Sequence, residues 1–126
     1  MLRLIIFPSA KIGGTNYIYV YSYNAYNWYG ISVLNQAHNA TNGAPGLSVM
    51  QAYSIDQKVD DGMPTTGNVR AMTITSVPFV TWPSLISAPN AASDSVGTCF
   101  NTTVPAYSIA MNNGSNVNCA LSFRFQ

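Results

Sequence analysis

Tyrosines at 17, 19, 21 and 23 alternate with Ile18, Val20 and Ser22. A period of two in β-favouring residues predicts a strand over 17–23. The Asn- and aromatic-rich stretch 24–30 reads as a turn and 31–34 as a short strand. Residues 35–46 read as a loop, with Asn42-Gly43 and Pro45-Gly46 as its turn signals. The period changes at Ser48. Ser48 and Gln51 form a capping box, in which each side chain serves the other's backbone N–H. Ala52, Ile55 and Val59 then recur at i, i+3 and i+7, which predicts a helix over 48–60. Gly62 and Pro64 supply its stop. A turn over 65–68 leads to predicted strands over 69–75 and 77–82, the second broken by Pro78 and Pro83. Residues 84–98 read as loop, 106–111 as a strand and 112–115 as a turn. Over 119–126, Cys119, Leu121, Phe123 and Phe125 face one way and Ala120, Ser122, Arg124 and Gln126 the other. Pairing 106–111 with this last strand makes a hairpin of 106–125 that carries Cys99 toward the sheet. The expected architecture is a single α+β domain over 1–126, with one short helix and an antiparallel sheet of about four strands.

Composition narrows the function. Five Lys and Arg stand against four Asp, Glu is absent, and only 7% of the chain is charged. Polarity comes instead from 13 Asn, 13 Ser and 10 Thr. Disorder requires low hydrophobicity with high net charge, and this chain has neither. Nucleic-acid binding requires a basic stripe, which five scattered cations do not form. A neutral Asn/Ser/Thr/Tyr surface fits the cell exterior or periplasm and a subunit that packs among its own copies. The cysteines, Cys99 and Cys119, suggest one disulfide in an oxidising compartment, with two free buried thiols as the alternative. The apolar start, Met1 to Pro8, is too short for a membrane span and lacks a clear export cleavage site.

Three of the four acids fall within six residues: Asp56, Asp60 and Asp61. On a helix, Asp56 and Asp60 are i, i+4 neighbours and repel. They also lie at a helix C-terminus, where the macrodipole disfavours anions. Lys58 points away from both, so the expected compensating partners are Arg70, Arg3 or a bound cation. Calcium is the candidate metal because hard oxygen ligands cluster here, although the spacing is not that of an EF-hand. The competing and favoured expectation is structural: the carboxylates accept backbone N–H groups in a turn, or pair with Arg70 and Lys58.

The stretch 51–71 reads Gln-Ala-Tyr-Ser-Ile-Asp-Gln-Lys-Val-Asp-Asp-Gly-Met-Pro-Thr-Thr-Gly-Asn-Val-Arg-Ala, and Cys99, Tyr107, Cys119 and a short apolar terminal strand follow. This string resembles a segment of bacterial prepilin-like proteins, the type IV pilin and type II secretion pseudopilin superfamily, over roughly residues 49–126. The matching positions include Asp56, Lys58, Asp60, Asp61, Gly62, Pro64 and Gly67, and Arg70 stands within the same structural motif. The resemblance implies a globular domain of about four antiparallel strands, a terminal disulfide, and a structural role in a surface filament or secretion pseudopilus. Such proteins carry a long N-terminal helix that anchors the precursor in the membrane and later forms the filament core. The chain shows neither that helix nor its Gly-Phe-Thr-Leu-Ile-Glu-like processing site, so membrane contact is expected only through a missing N-terminal helix.

The row Tyr17, Tyr19, Tyr21 and Tyr23 is a candidate subunit interface, a carbohydrate platform or, more simply, one face of the core. His38 has no Asp near it in sequence, and no nucleophile elbow, catalytic carboxylate pair or phosphate loop is present. The reading is therefore a non-enzymatic filament subunit without cofactor, calcium apart, whose partners are other subunits or its own copies. The alternative is a secreted or virion-surface binding module.

Overall fold

A computed structural model describes residues 8–12, 14–34, 43–71 and 88–125. Its elements in chain order are β1 (Asn16–Tyr23), β2 (Tyr26–Leu34), β3 (Gly43–Ala44), α1 (Val49–Val59), β4 (Val69–Arg70), β5 (Asn90–Ala91), β6 (Phe100–Asn101), β7 (Ala106–Tyr107), a 3₁₀ turn (Met111–Gly114) and β8 (Leu121–Arg124). The class is α+β, with far more strand than helix.

The main sheet is antiparallel and runs β1-β2-β8-β4, with β3 also on β2. The tyrosine alternation does form a strand, but the expected turn over 24–30 shrinks to two residues. Asn24 and Ala25 both take positive φ, 49° and 64°, as the two-residue turns that match strand twist require. Trp28 and Tyr29 therefore lie inside β2, where Tyr21 faces Trp28 and Tyr19 faces Gly30. A Cβ on Gly30 would sit 2.0 Å from the Tyr19 ring, so glycine gives that ring its bed.

The helix begins as expected. The Gln51 N–H donates to Ser48 Oγ at 3.1 Å and the Ser48 N–H donates to Gln51 Oε1 at 2.9 Å, a cap of about 1 kcal/mol. Its buried face differs from the expected stripe. Val49, Ala52 and Asp56 are buried, Ile55 is half-buried, and Val59 is 64% exposed. This face packs with Leu47, Val69, Leu121 and Cys119, with Ile31 and Phe123 at the margin. Each fully buried Leu or Val here stabilises the fold by about 1.5–3 kcal/mol.

The predicted 106–125 hairpin does not form. Tyr107 pairs with Phe100 in a second sheet, β5-β6-β7, whose β5–β6 pair is parallel. The last strand instead pairs with β2 and β4. Its two sides are both covered, since Leu121 and Ser122 are each fully buried. The Cys99–Cys119 disulfide is present, with the Cα atoms 5.0 Å apart. It ties the small sheet to the chain two residues before β8. On the other side of Cys119, reciprocal 2.9 Å backbone hydrogen bonds with Leu47 tie it to the entry of α1. The expected strand over 77–82, the part of the 69–75 strand beyond residue 71, residues 35–42 of the loop with His38, and Arg3 lie outside the described residues, while the end of that loop forms β3.

Candidate functional site: the acidic turn after the helix

The helix ends at Asp60, whose N–H still donates to the Asp56 carbonyl at 2.7 Å. The chain must then turn back to enter β4, and the turn's backbone N–H groups need acceptors. The three carboxylates supply them. Asp60 Oδ2 accepts from the N–H groups of Asn68, at 2.5 Å, and Val69, at 3.0 Å. Asp61 Oδ1 accepts from the Met63 N–H at 2.8 Å, and its Oδ2 accepts from the Thr66 hydroxyl at 2.6 Å. Asp56 faces inward and is fully buried. Its Oδ1 accepts from the Gly62 N–H at 3.1 Å and its Oδ2 accepts from the Tyr107 hydroxyl at 2.6 Å.

The other positions of the string serve this geometry. Gly62 and Gly67 have φ of 73° and 70°. A Cβ on Gly67 would fall 1.9 Å from Asp60 Oδ2, so only glycine lets that carboxylate approach the backbone. Pro64 is buried, and its carbonyl accepts from the Ala71 N–H at 2.8 Å, closing the loop. Lys58 is exposed on the last helical turn, where a cation suits the macrodipole. Arg70 is not the ion-pair partner expected for the acids. Its Nε donates to the Gly67 carbonyl at 3.0 Å, and its guanidinium lies 5.7 Å from the Trp28 ring centre. Among the described residues the repulsion is offset by hydrogen bonds, not by a salt bridge.

Burial raises the Asp56 carboxyl above its ordinary value, with the Asp61 and Asp60 charges adding to the rise, against the lowering pull of Tyr107 and Gly62. The Thr66 hydroxyl and the Met63 N–H hold Asp61 below its ordinary value. Burial and the Asp56 bond push the Tyr107 phenol up.

A calcium ion would compete with the turn's own hydrogen bonds for these oxygens. One oxygen from each carboxylate does lie within 4.8 Å of the others. Yet both Asp56 oxygens, both Asp61 oxygens and Asp60 Oδ2 already accept protein hydrogen bonds. Calcium takes six to eight oxygen ligands, and three carboxylates already engaged in the turn would supply only part of such a set.

Sequence reasoning missed the fourth acid. Asp94 Oδ1 accepts from the Ser108 hydroxyl at 2.9 Å, and Ser108 Oγ lies 3.0 Å from Thr98 Oγ1. This network flanks the disulfide, and the Ser108 N–H donates to the Cys99 carbonyl at 2.9 Å. The signal available was the position of Thr98 and Ser108, each one residue from Cys99 or Tyr107. The tyrosine row also changes meaning. Tyr19 and Tyr21 are 2% and 5% exposed, with hydroxyls bonded to Ser32 and Ser122, while Tyr17 and Tyr23 are half-buried. The two central tyrosines are core and not an exposed interface. Burial pushes both phenols up.

No helix among the described residues is long and apolar enough to cross a membrane. No protein family, curated protein or solved structure matches the chain.

Proposed function

We propose that this chain is a non-enzymatic, pilin- or pseudopilin-like structural subunit of a bacterial surface filament or secretion pseudopilus, acting outside the cytoplasm through packing. The observation that carries this reading is the buried Tyr107–Asp56 hydrogen bond. The resemblance rests on two separated strings, the acidic motif and the Cys–Tyr–Cys tail. In the fold the tyrosine of one string bonds the first acid of the other, and the disulfide fixes the tail beside it. The residues that carry the likeness in sequence thus form one structural unit. That unit spends its carboxylates on internal hydrogen bonds, which favours a scaffold role over chemistry or metal binding. The disulfide fits an oxidising compartment.

The test is genetic. Deleting the gene from its own cell is expected to reduce surface filaments or secretion. The wild-type chain is expected to restore them, and Asp56→Ala, which strips the partner from both Tyr107 and Gly62, to fail. Unchanged filament number and secretion after deletion would contradict the proposal.

A further inference from the structure

We propose that β1 is an association edge through which two copies of this chain join their sheets. The contact goes beyond the filament reading and does not depend on it. In β1 the odd-numbered residues bond β2, so the even-numbered ones direct their backbone groups away from the sheet. Two of these groups are used: the Ile18 N–H donates to the Pro8 carbonyl at 3.0 Å, and the Asn16 carbonyl accepts from the Ala10 N–H at 2.8 Å. Further along, Val20 and Ser22 present N–H and C=O groups that meet no partner among the described residues.

Proteins usually guard such an edge with lysine, proline, a bulge or a short strand. The Pro8–Ala10 pairing covers one end of β1, but the strand reads Asn-Tyr-Ile-Tyr-Val-Tyr-Ser-Tyr and its open end at Val20 and Ser22 carries no lysine, proline or bulge. Apolar surface adjoins it. Val20 is 58% exposed and faces Tyr29, which is also exposed and stacks on Phe125 at 4.3 Å between ring centres.

The charge pattern selects the occupant. A surface that meets its own copy about a two-fold axis sets like charge near like, so it must be neutral there. Residues 12–55, which include all of β1 and β2, hold no Asp, Glu, Lys or Arg. The open end of β1 itself carries no charge to steer a charged partner or to repel a second copy; the cations beside it lie at the strand's two ends, Lys11 next to the Pro8–Ala10 pairing and Arg124 over the Tyr26 ring. A two-fold axis at Tyr21 pairs the two β1 strands antiparallel and sets Val20 against Ser22 of the second copy, and the reverse. Four backbone hydrogen bonds result, and the Pro8–Ala10 pairing at the other end of β1 is left in place.

The contact is small, so it is to be read at high concentration. Sedimentation equilibrium of the full chain from about 10 µM to about 1 mM is expected to show mass rising toward the dimer. Amide exchange at Val20 and Ser22 is expected to slow over the same range. Val20→Lys charges the edge, and Ser22→Pro removes an outward N–H that β2 does not use. Each is expected to weaken association at least tenfold with little change in melting temperature. A monomer at every concentration overturns the proposal. So does a dimer that both variants leave intact, or slow exchange at Val20 and Ser22 in the monomer, which means that the edge is covered within one chain.

Discussion

Asp56 occupies a position on α1 where a helix normally carries an apolar residue, and its burial is tolerated because both carboxylate oxygens are met. Removing one donor exposes the cost. Tyr107→Phe keeps the ring, which packs edge-on to Tyr53 at 6.0 Å, but leaves a buried oxygen without its donor. The expected loss is about 1–3 kcal/mol, read as a melting temperature lower by several degrees. In a double-mutant cycle with Asp56→Asn the two losses are expected to be non-additive by about 1 kcal/mol; additive losses would mean that the bond does not couple the two sites. The acids also move stability in opposite directions with pH. The Asp56 carboxyl is raised in the fold, so its contribution is fully present below the ordinary value of 3.8 and is lost as pH rises through the raised value. The Asp61 carboxyl is lowered, so its contribution is present above 3.8 and is lost as pH falls through the lowered value. Melting curves from about pH 3 to 7 are expected to show the gap between wild type and Asp56→Asn narrowing as pH rises. The gap between wild type and Asp61→Asn is expected to widen. Gaps that stay constant would contradict these assignments.

Among the elements, those announced by local chemistry were legible in the sequence. The tyrosine alternation marked β1, the Ser48–Gln51 box marked the start of α1, and the alternation after Cys119 marked β8. What escaped depended on distant partners. Ser122 looks solvent-facing in its strand, but the Tyr21 hydroxyl from another strand meets it. Asp56 replaces Val59 in the helix's buried stripe because Tyr107 arrives from the second sheet. Residues 24–30 read as a turn because Asn and aromatics cluster there, although Trp28 is buried strand. The acidic turn was legible as a motif, while its hydrogen-bond donors and the Asp94 network were not. The real turn retains a local mismatch that can be tested. Ala25 holds φ of 64°, a conformation that costs a residue with a Cβ about 1–2 kcal/mol. Ala25→Gly creates the preferred Asn-Gly pair and is expected to raise the melting temperature by about 3–6 °C. An unchanged or lower value would show that the turn carries no strain.

For the whole molecule, the scarcity of charge is sharper than composition suggests. All four acids accept internal hydrogen bonds, and residues 12–55 carry no formal charge. The covalent and hydrogen-bonded ties gather around one region: the disulfide, the Leu47–Cys119 pairing and the Asp56–Tyr107 bond hold helix, main sheet and small sheet together. Sparse surface charge on a firmly tied scaffold suits packing against other protein subunits. Calcium has no part in this account, so 1 mM calcium or EDTA, a range that spans weak extracellular sites, is expected to leave the melting temperature unchanged. A rise of several degrees with calcium would restore a metal role for the turn. The central claim is that the chain is built into a surface assembly, and gold-labelled antibody against it in electron micrographs of its own cells tests that claim most directly. The account predicts gold along filaments, or at secretion complexes in the envelope. Gold confined to the cytoplasm, or the chain found only as free secreted protein, would contradict it.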